Sequence, residues 1–166
     1  ARLRLLFFMV TATVLYLAHC MYFNRQMAVI PLTDTFYCFC NPAVFPLYFI
    51  YIEELTEYRP NRWKQVLCLL PSLFCFLTTG MLYLLMDPQE TAAFVQHYLY
   101  GDEFASLSGL AWWQGVAHVA VRIVFALQIP LVLFFGFRRI TAYNDVVETN
   151  YIARSEERRV GKECRS

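Results

Sequence analysis

Charge is what this sequence has least of. Only 16% of its 166 residues are Asp, Glu, Lys or Arg and 58% are hydrophobic, against about 25% charged in an average soluble domain. So little polar surface cannot cover so much apolar bulk in water, and the balance points to a membrane protein. Histidine is scarce too, at three residues. There is no Gly-rich phosphate loop, no internal repeat and no heptad series, so no readable motif binds nucleotide. Nor is there a Ser beside a base, a pair of carboxylates within one apolar run, or a His-rich metal motif, and no catalytic role is expected. Asp34 is the one carboxylate well inside an apolar window, whereas an intramembrane aspartyl protease would need a second. The six cysteines do not suggest disulfides, because Cys20, Cys38, Cys40, Cys68 and Cys75 all fall in apolar runs and read as buried thiols that pack as small hydrophobes. No small-residue cleavage site follows the first apolar run, and the chain, which starts at Ala1, is expected to lack its natural N-terminus.

What is present is length of apolar sequence. Four windows, about 5–23, 28–52, 65–86 and 113–137, reach the roughly 20 residues that a helix needs to cross the hydrocarbon core. The expected fold is therefore all-α and polytopic. The second window holds Pro31, Pro42 and Pro46, and a kink is expected near Asn41-Pro42, where the missing amide frees a carbonyl. Positive charge clusters at Arg2 and Arg4, at Arg59, Arg62 and Lys64, and at Arg138 and Arg139, whereas the stretch from Asp87 to Trp112 has no Lys or Arg. By the positive-inside rule both chain ends are then cytoplasmic and that stretch is external. It opens with DPQE, in which Asp87 can cap a helix, Pro88 suits the first position and Glu90 can reach back to the cap amide. Phe94, Val95, Tyr98 and Leu99 would give this short helix one apolar face, for lying on the outer membrane surface.

Ionisable residues inside spans are costly and mark candidate sites. Asp34, His118, Arg122 and His19 all fall in the outer half of the bilayer, and His118 and Arg122, four apart, share a helical face. Two readings stand side by side. In one, these residues line a polar pocket open to the outside in which Arg122 holds an anionic group; in the other, Asp34 and Arg122 are a structural pair, direct or water-bridged, between the second and fourth spans. A metal held by His19, His118 and Asp34 has suitable donor types but no diagnostic spacing. Cys38 and Cys40 are expected to pack, and Glu53 and Glu54 to be solvated charges near Arg59 and Arg62. Beyond the fourth span, Arg138, Arg139, Tyr143, Val146, Val147 and Tyr151 fit a juxtamembrane helix over 138–153 that would transmit a signal.

Certain phrases add a resemblance. NPAVFPLYFIYI with its charged inner turn, PSLFCFLTTGMLYLLM, and above all GFRRITAYNDVVETNYIA after the last span resemble the membrane region of AraC-type helix-turn-helix regulators of Bacteroides and relatives, over nearly all of Arg2 to Ala153. The resemblance implies a sensor domain in the bacterial inner membrane followed by a cytoplasmic DNA-binding domain outside this chain. The implied partners are the lipid bilayer, a small-molecule or membrane-borne signal, a second copy of the chain, and DNA only through that further domain; no cofactor is implied. The membrane sensor of a histidine kinase, or part of a transporter or channel, would share the hydropathy.

Residues 154–166, RSEERRVGKECRS, supply five of the fourteen Lys and Arg and resemble the in-frame translation of a widely used short-read sequencing adapter. Natural sequence is expected to end near Ala153. Deletion of 154–166 is expected to leave membrane insertion unchanged, as carbonate extraction of membranes would show.

Overall fold

The computed structural model describes residues 2–56, 62–101 and 103–163, with side chains through Ile152. Arg59, part of the charge pattern above, and the last three residues lie outside this set. Among the described residues there is no strand, and the protein is all-α, with four helices long and apolar enough to cross a membrane. These are α1 (Arg2–Phe23), α2 (Ile30–Thr56), α3 (Arg62–Leu85) and α5 (Gly109–Glu163); a short α4 (Pro88–Ala93) continues into a π-helical turn, Phe94–Leu99.

The centre of the bundle is α2. It packs against α1, α3 and α5, and α3 also meets α5. Of its most apolar window 44% is buried, while no other span exceeds 17%. The remaining faces are bare leucine, phenylalanine and methionine, such as Leu70, Phe74, Leu77 and Met81 on α3. Water would not tolerate them in such number, whereas acyl chains match them. Where helices do touch, small residues allow close approach. A Cβ on Gly80 of α3 would lie 3.2 Å from the Thr35 methyl of α2.

The prolines of α2 do not interrupt it. Pro31 is the second helical residue, where no amide is needed. Pro42 and Pro46 are interior and buried, so each leaves the carbonyl four residues earlier without an amide inside an otherwise continuous helix.

The segment between α3 and α5 differs from the expected helix resting on the bilayer surface. Phe94, Val95 and Tyr98 are buried against Ile30, Met86, Leu107 and Ala111, so this face plugs the end of the bundle. The π turn contributes, because its wider spacing keeps Phe94 and Tyr98 stacked at 5.2 Å between ring centroids. The start follows the DPQE reading: Pro88 opens α4 and Glu90 accepts from the Asp87 amide at 3.4 Å. The other Glu90 oxygen accepts from the Leu110 amide at 3.3 Å, joining α4 to the first turn of α5. Gly109, at φ +59°, lies beside that oxygen, and a Cβ would collide with it. Tyrosines latch the lid to α1: the Tyr22 hydroxyl donates to the Leu99 carbonyl, and that of Tyr100 to the Tyr22 carbonyl at 2.8 Å. Arg25 covers the Tyr100 ring at 5.4 Å.

As the helical spacing of Tyr143, Val146, Val147 and Tyr151 leads one to expect, the fourth span continues as a helix, α5. It begins before the fourth window and continues far past it without a break. At about 1.5 Å per residue its 55 residues extend roughly 80 Å, more than twice the hydrocarbon core. The juxtamembrane residues 138–153 are thus the same helix as the fourth span, and the backbone stays helical into the adapter-like residues as far as Glu163. Reporter fusions at Ala105 and Asp145 are expected to give opposite sidedness; the same signal from both would be incompatible with four crossings.

Candidate functional site

A cavity of about 290 Å³ lies between α1, α2 and α5 beneath the lid. His19 comes to it from α1, Thr33, Asp34, Tyr37 and Asn41 from α2, and His118 and Arg122 from α5, with Leu99 of the lid above. The four ionisable residues singled out by sequence therefore share one cavity wall. This follows from the packing order: α1 and α5 both lean on α2 and make little contact with each other, so a gap opens between them.

Asp34 organises the polar floor. Its Oδ2 lies 2.9 Å from His118 Nε2 and accepts a 2.6 Å hydrogen bond from the Tyr83 hydroxyl of α3. Both members of the α2–α5 pair are nearly enclosed, the side chains being 10% and 6% exposed. Cys38, one turn along α2, places Sγ 3.7 Å from the same His118 nitrogen. Phe94 and Tyr98 of the lid pack on the imidazole, with centroids 5.2 and 5.8 Å away. Gln114, one turn before His118, is fully buried.

The direct form of the expected Asp34–Arg122 pair does not occur: no contact within 4.0 Å joins the two, and Asp34 meets His118 and Tyr83 instead. The long Arg122 side chain runs instead toward Tyr98, placing its guanidinium 5.6 Å from that ring's centroid. Arg122 is thus exposed to whatever enters, as required of an anion-binding group. His19 bonds through Nδ1 to the Leu15 carbonyl at 3.0 Å and meets the Tyr37 ring edge-on at 5.0 Å.

A Cys, a His and an Asp in contact invite comparison with a nucleophile and its relay. The geometry does not fit one. In a relay the carboxylate holds one imidazole nitrogen and the nucleophile meets the other, whereas here Asp34 and Cys38 both face Nε2.

A second polar cluster joins all four spanning helices at the opposite end. Arg4 lies 3.3 Å from Glu54 and donates to Gln65 Oε1 at 3.1 Å; Gln65 donates to Glu53 Oε2 at 3.3 Å, and Arg139 reaches Glu53 Oε1 at 3.7 Å. Glu53 is buried, 4% exposed, which corrects its reading as a solvated charge. It sits there because Gln65 and Arg139 surround it with donors. Arg138 lies over the Phe134 ring at 5.8 Å, while Tyr143 and Tyr151 are exposed on the projecting part of α5.

Sequence reasoning missed Tyr83, Cys38 and the Glu53–Gln65–Arg4 cluster as polar partners. The i,i+4 spacing of Asp34 with Cys38, and of Gln114, His118 and Arg122, was the available signal for the first group. Comparison of the chain with protein-family models, curated proteins and solved structures finds no match.

Removing Asp34 alone strands His118 and Tyr83, so Asp34→Ala is expected to destabilise the bundle by roughly 1–3 kcal/mol. Asp34→Leu with His118→Leu should cost less than the two single losses added together. Denaturant unfolding in micelles measures this, and additive losses would mean that the pair is not coupled.

Proposed function

We propose that this chain is the membrane-embedded sensing part of a bacterial inner-membrane transcription regulator, in which a ligand in the outer cavity alters the packing of α5 on α2. The observation that carries this reading is the continuity of α5. One helix supplies His118 and Arg122 to the cavity wall and Arg139 to the inner cluster, then projects beyond the bundle with Tyr143, Val146, Val147 and Tyr151 bare. The resemblance to AraC-type membrane regions supports the further step, that the projecting helix leads to a cytoplasmic DNA-binding domain.

The mechanism requires a ligand that binds two packings unequally. Helices α2 and α5 are pinned together at both ends, by Asp34–His118 and by Glu53–Arg139, points roughly 30 Å apart along either helix. A ligand that competes for His118 or draws in Arg122 weakens the outer pin. A helix acts as a stiff rod over that distance, so a small rotation about the inner pin displaces the projecting end. An anionic or hydrogen-bonding group on the ligand would meet Arg122, Asn41 and Tyr37.

The test uses distance labels introduced as non-natural amino acids at Trp63 and Ala142, in the full chain in nanodiscs. Asp34→Asn, which weakens the outer pin, is expected to shift the label-to-label distance distribution at the inner end. Unchanged distributions in Asp34→Asn and Arg122→Ala would remove the coupling on which the sensor reading depends.

A further inference from the structure

Two sides of the His118 imidazole nitrogen are occupied by groups that differ in kind. A carboxylate oxygen stands 2.9 Å away and a thiol sulfur 3.7 Å away, and all three donor atoms fall within 4.8 Å of one another. His118 and Cys38 are buried and Asp34 is nearly so. We propose that Asp34, Cys38 and His118 form a three-ligand site for a divalent transition-metal ion of the zinc type, with the fourth coordination position open to the cavity.

The separations of the His118 nitrogen from its two neighbours are close to those such an ion needs. Tetrahedral zinc holds nitrogen and oxygen at about 2.0–2.2 Å and sulfur at about 2.3 Å, so its donors lie roughly 3.3–3.7 Å from one another. The nitrogen–sulfur separation already has this value. The nitrogen–oxygen pair would open by about 0.4 Å to admit the metal, which a change of the Asp34 rotamer supplies. Asp34 and Cys38 are four apart on α2, so one face presents both, and His118 approaches from α5. A mixed oxygen, sulfur and nitrogen set favours zinc over magnesium or calcium, which prefer oxygen alone.

Charge balance also favours occupancy. Binding breaks the Cys38 S–H bond and releases the proton to the cavity; the sulfur lone pair forms the metal bond, and no oxidant or reductant is involved. The ion's two positive charges are then matched by one thiolate and one carboxylate, leaving a neutral unit in a region where net charge is costly. His118, whose Nε2–H faces Asp34 in the metal-free protein, gives up that proton and takes one on Nδ1, so that the neutral ring contributes its Nε2 lone pair and the net proton released is the thiol's. Tyr83, bonded to Asp34 Oδ2 at 2.6 Å, becomes the outer-shell donor that orients the carboxylate. Asp34 and His118 line the cavity, while Cys38 sits behind them against Cys75 and Val121. The ion would form part of the cavity floor, and its open position would accept water or a donor atom of an entering molecule.

The site does not depend on the sensor reading, because metal binding and helix movement are measured separately. The experiment titrates Co²⁺ into the full chain, stripped of metal and reduced, in detergent micelles. A thiolate-to-cobalt charge-transfer band with intense tetrahedral ligand-field bands is expected, saturating at a single equivalent and bleached by Zn²⁺. Cys38→Ser should abolish the charge-transfer band, Tyr83→Phe should weaken binding about tenfold, and Cys40→Ser should change neither. A folded chain that gives no charge-transfer band, or a band that survives in Cys38→Ser, overturns the proposal. Zinc-edge X-ray absorption on the unaltered chain needs no variant: one sulfur ligand at about 2.3 Å supports the site, and a coordination shell without sulfur overturns it.

Discussion

A carboxylate held inside a bilayer must find donors within its own protein, and Asp34 does so by drawing three helices together. Its Oδ2 engages Tyr83 of α3 and His118 of α5 while its backbone belongs to α2. Apolar packing alone specifies little in lipid, since leucine is as comfortable against an acyl chain as against another leucine. A polar group whose alternatives are all costly is a stronger constraint on which faces meet. The placing of His118 against α2 follows from this attachment.

The inner cluster repeats the same logic with different chemistry. Glu53, though buried, accepts from Gln65 of α3 and faces Arg139 of α5, while Arg4 of α1 bridges Glu54 and Gln65. The central helix therefore carries an acid near each end, and each acid fixes a neighbour. Between them the contacts are aromatic, as where Phe39 and Phe36 of α2 meet Phe76 of α3, and Phe45 meets Phe125 of α5. Such rings slide more readily than ion pairs exchange, so the two polar attachments are where a change of packing would have a discrete energy.

The lid shows how a short segment between spans can finish a helical bundle. Phe94 and Tyr98 descend onto His118, and Tyr22, Tyr100 and Arg25 fasten the segment to α1. Tyr100 remains a hydroxyl donor over a wide pH range, because burial, foremost, and the neighbouring Tyr22 raise its pKa. Glu90 and Gly109 align the start of α5 with α4. The cavity is consequently roofed by protein, and its other walls are helices with lipid beyond them.

Four spans, their approximate limits and the sharing of one end of the bundle by His19, Asp34, His118 and Arg122 were legible in the sequence, because hydropathy over about 20 residues and the cost of buried charge are local properties. The capping at Asp87 to Glu90 was legible for the same reason. Which polar groups pair was not. Charge alone matched Asp34 with Arg122, but pairing depends on side-chain reach and on which nitrogen arrives first, and His118 with Tyr83 reaches Asp34 while Arg122 extends past it to Tyr98. The burial of Glu53, the approach of Cys38 to His118 and the plugging role of Phe94 likewise depend on the order in which α1, α3 and α5 surround α2. The sequence by itself determined which stretches are long and apolar enough to cross a membrane and where along each its polar residues fall; only the tertiary structure decided their partners, because position is set along one helix and partnership is set between helices.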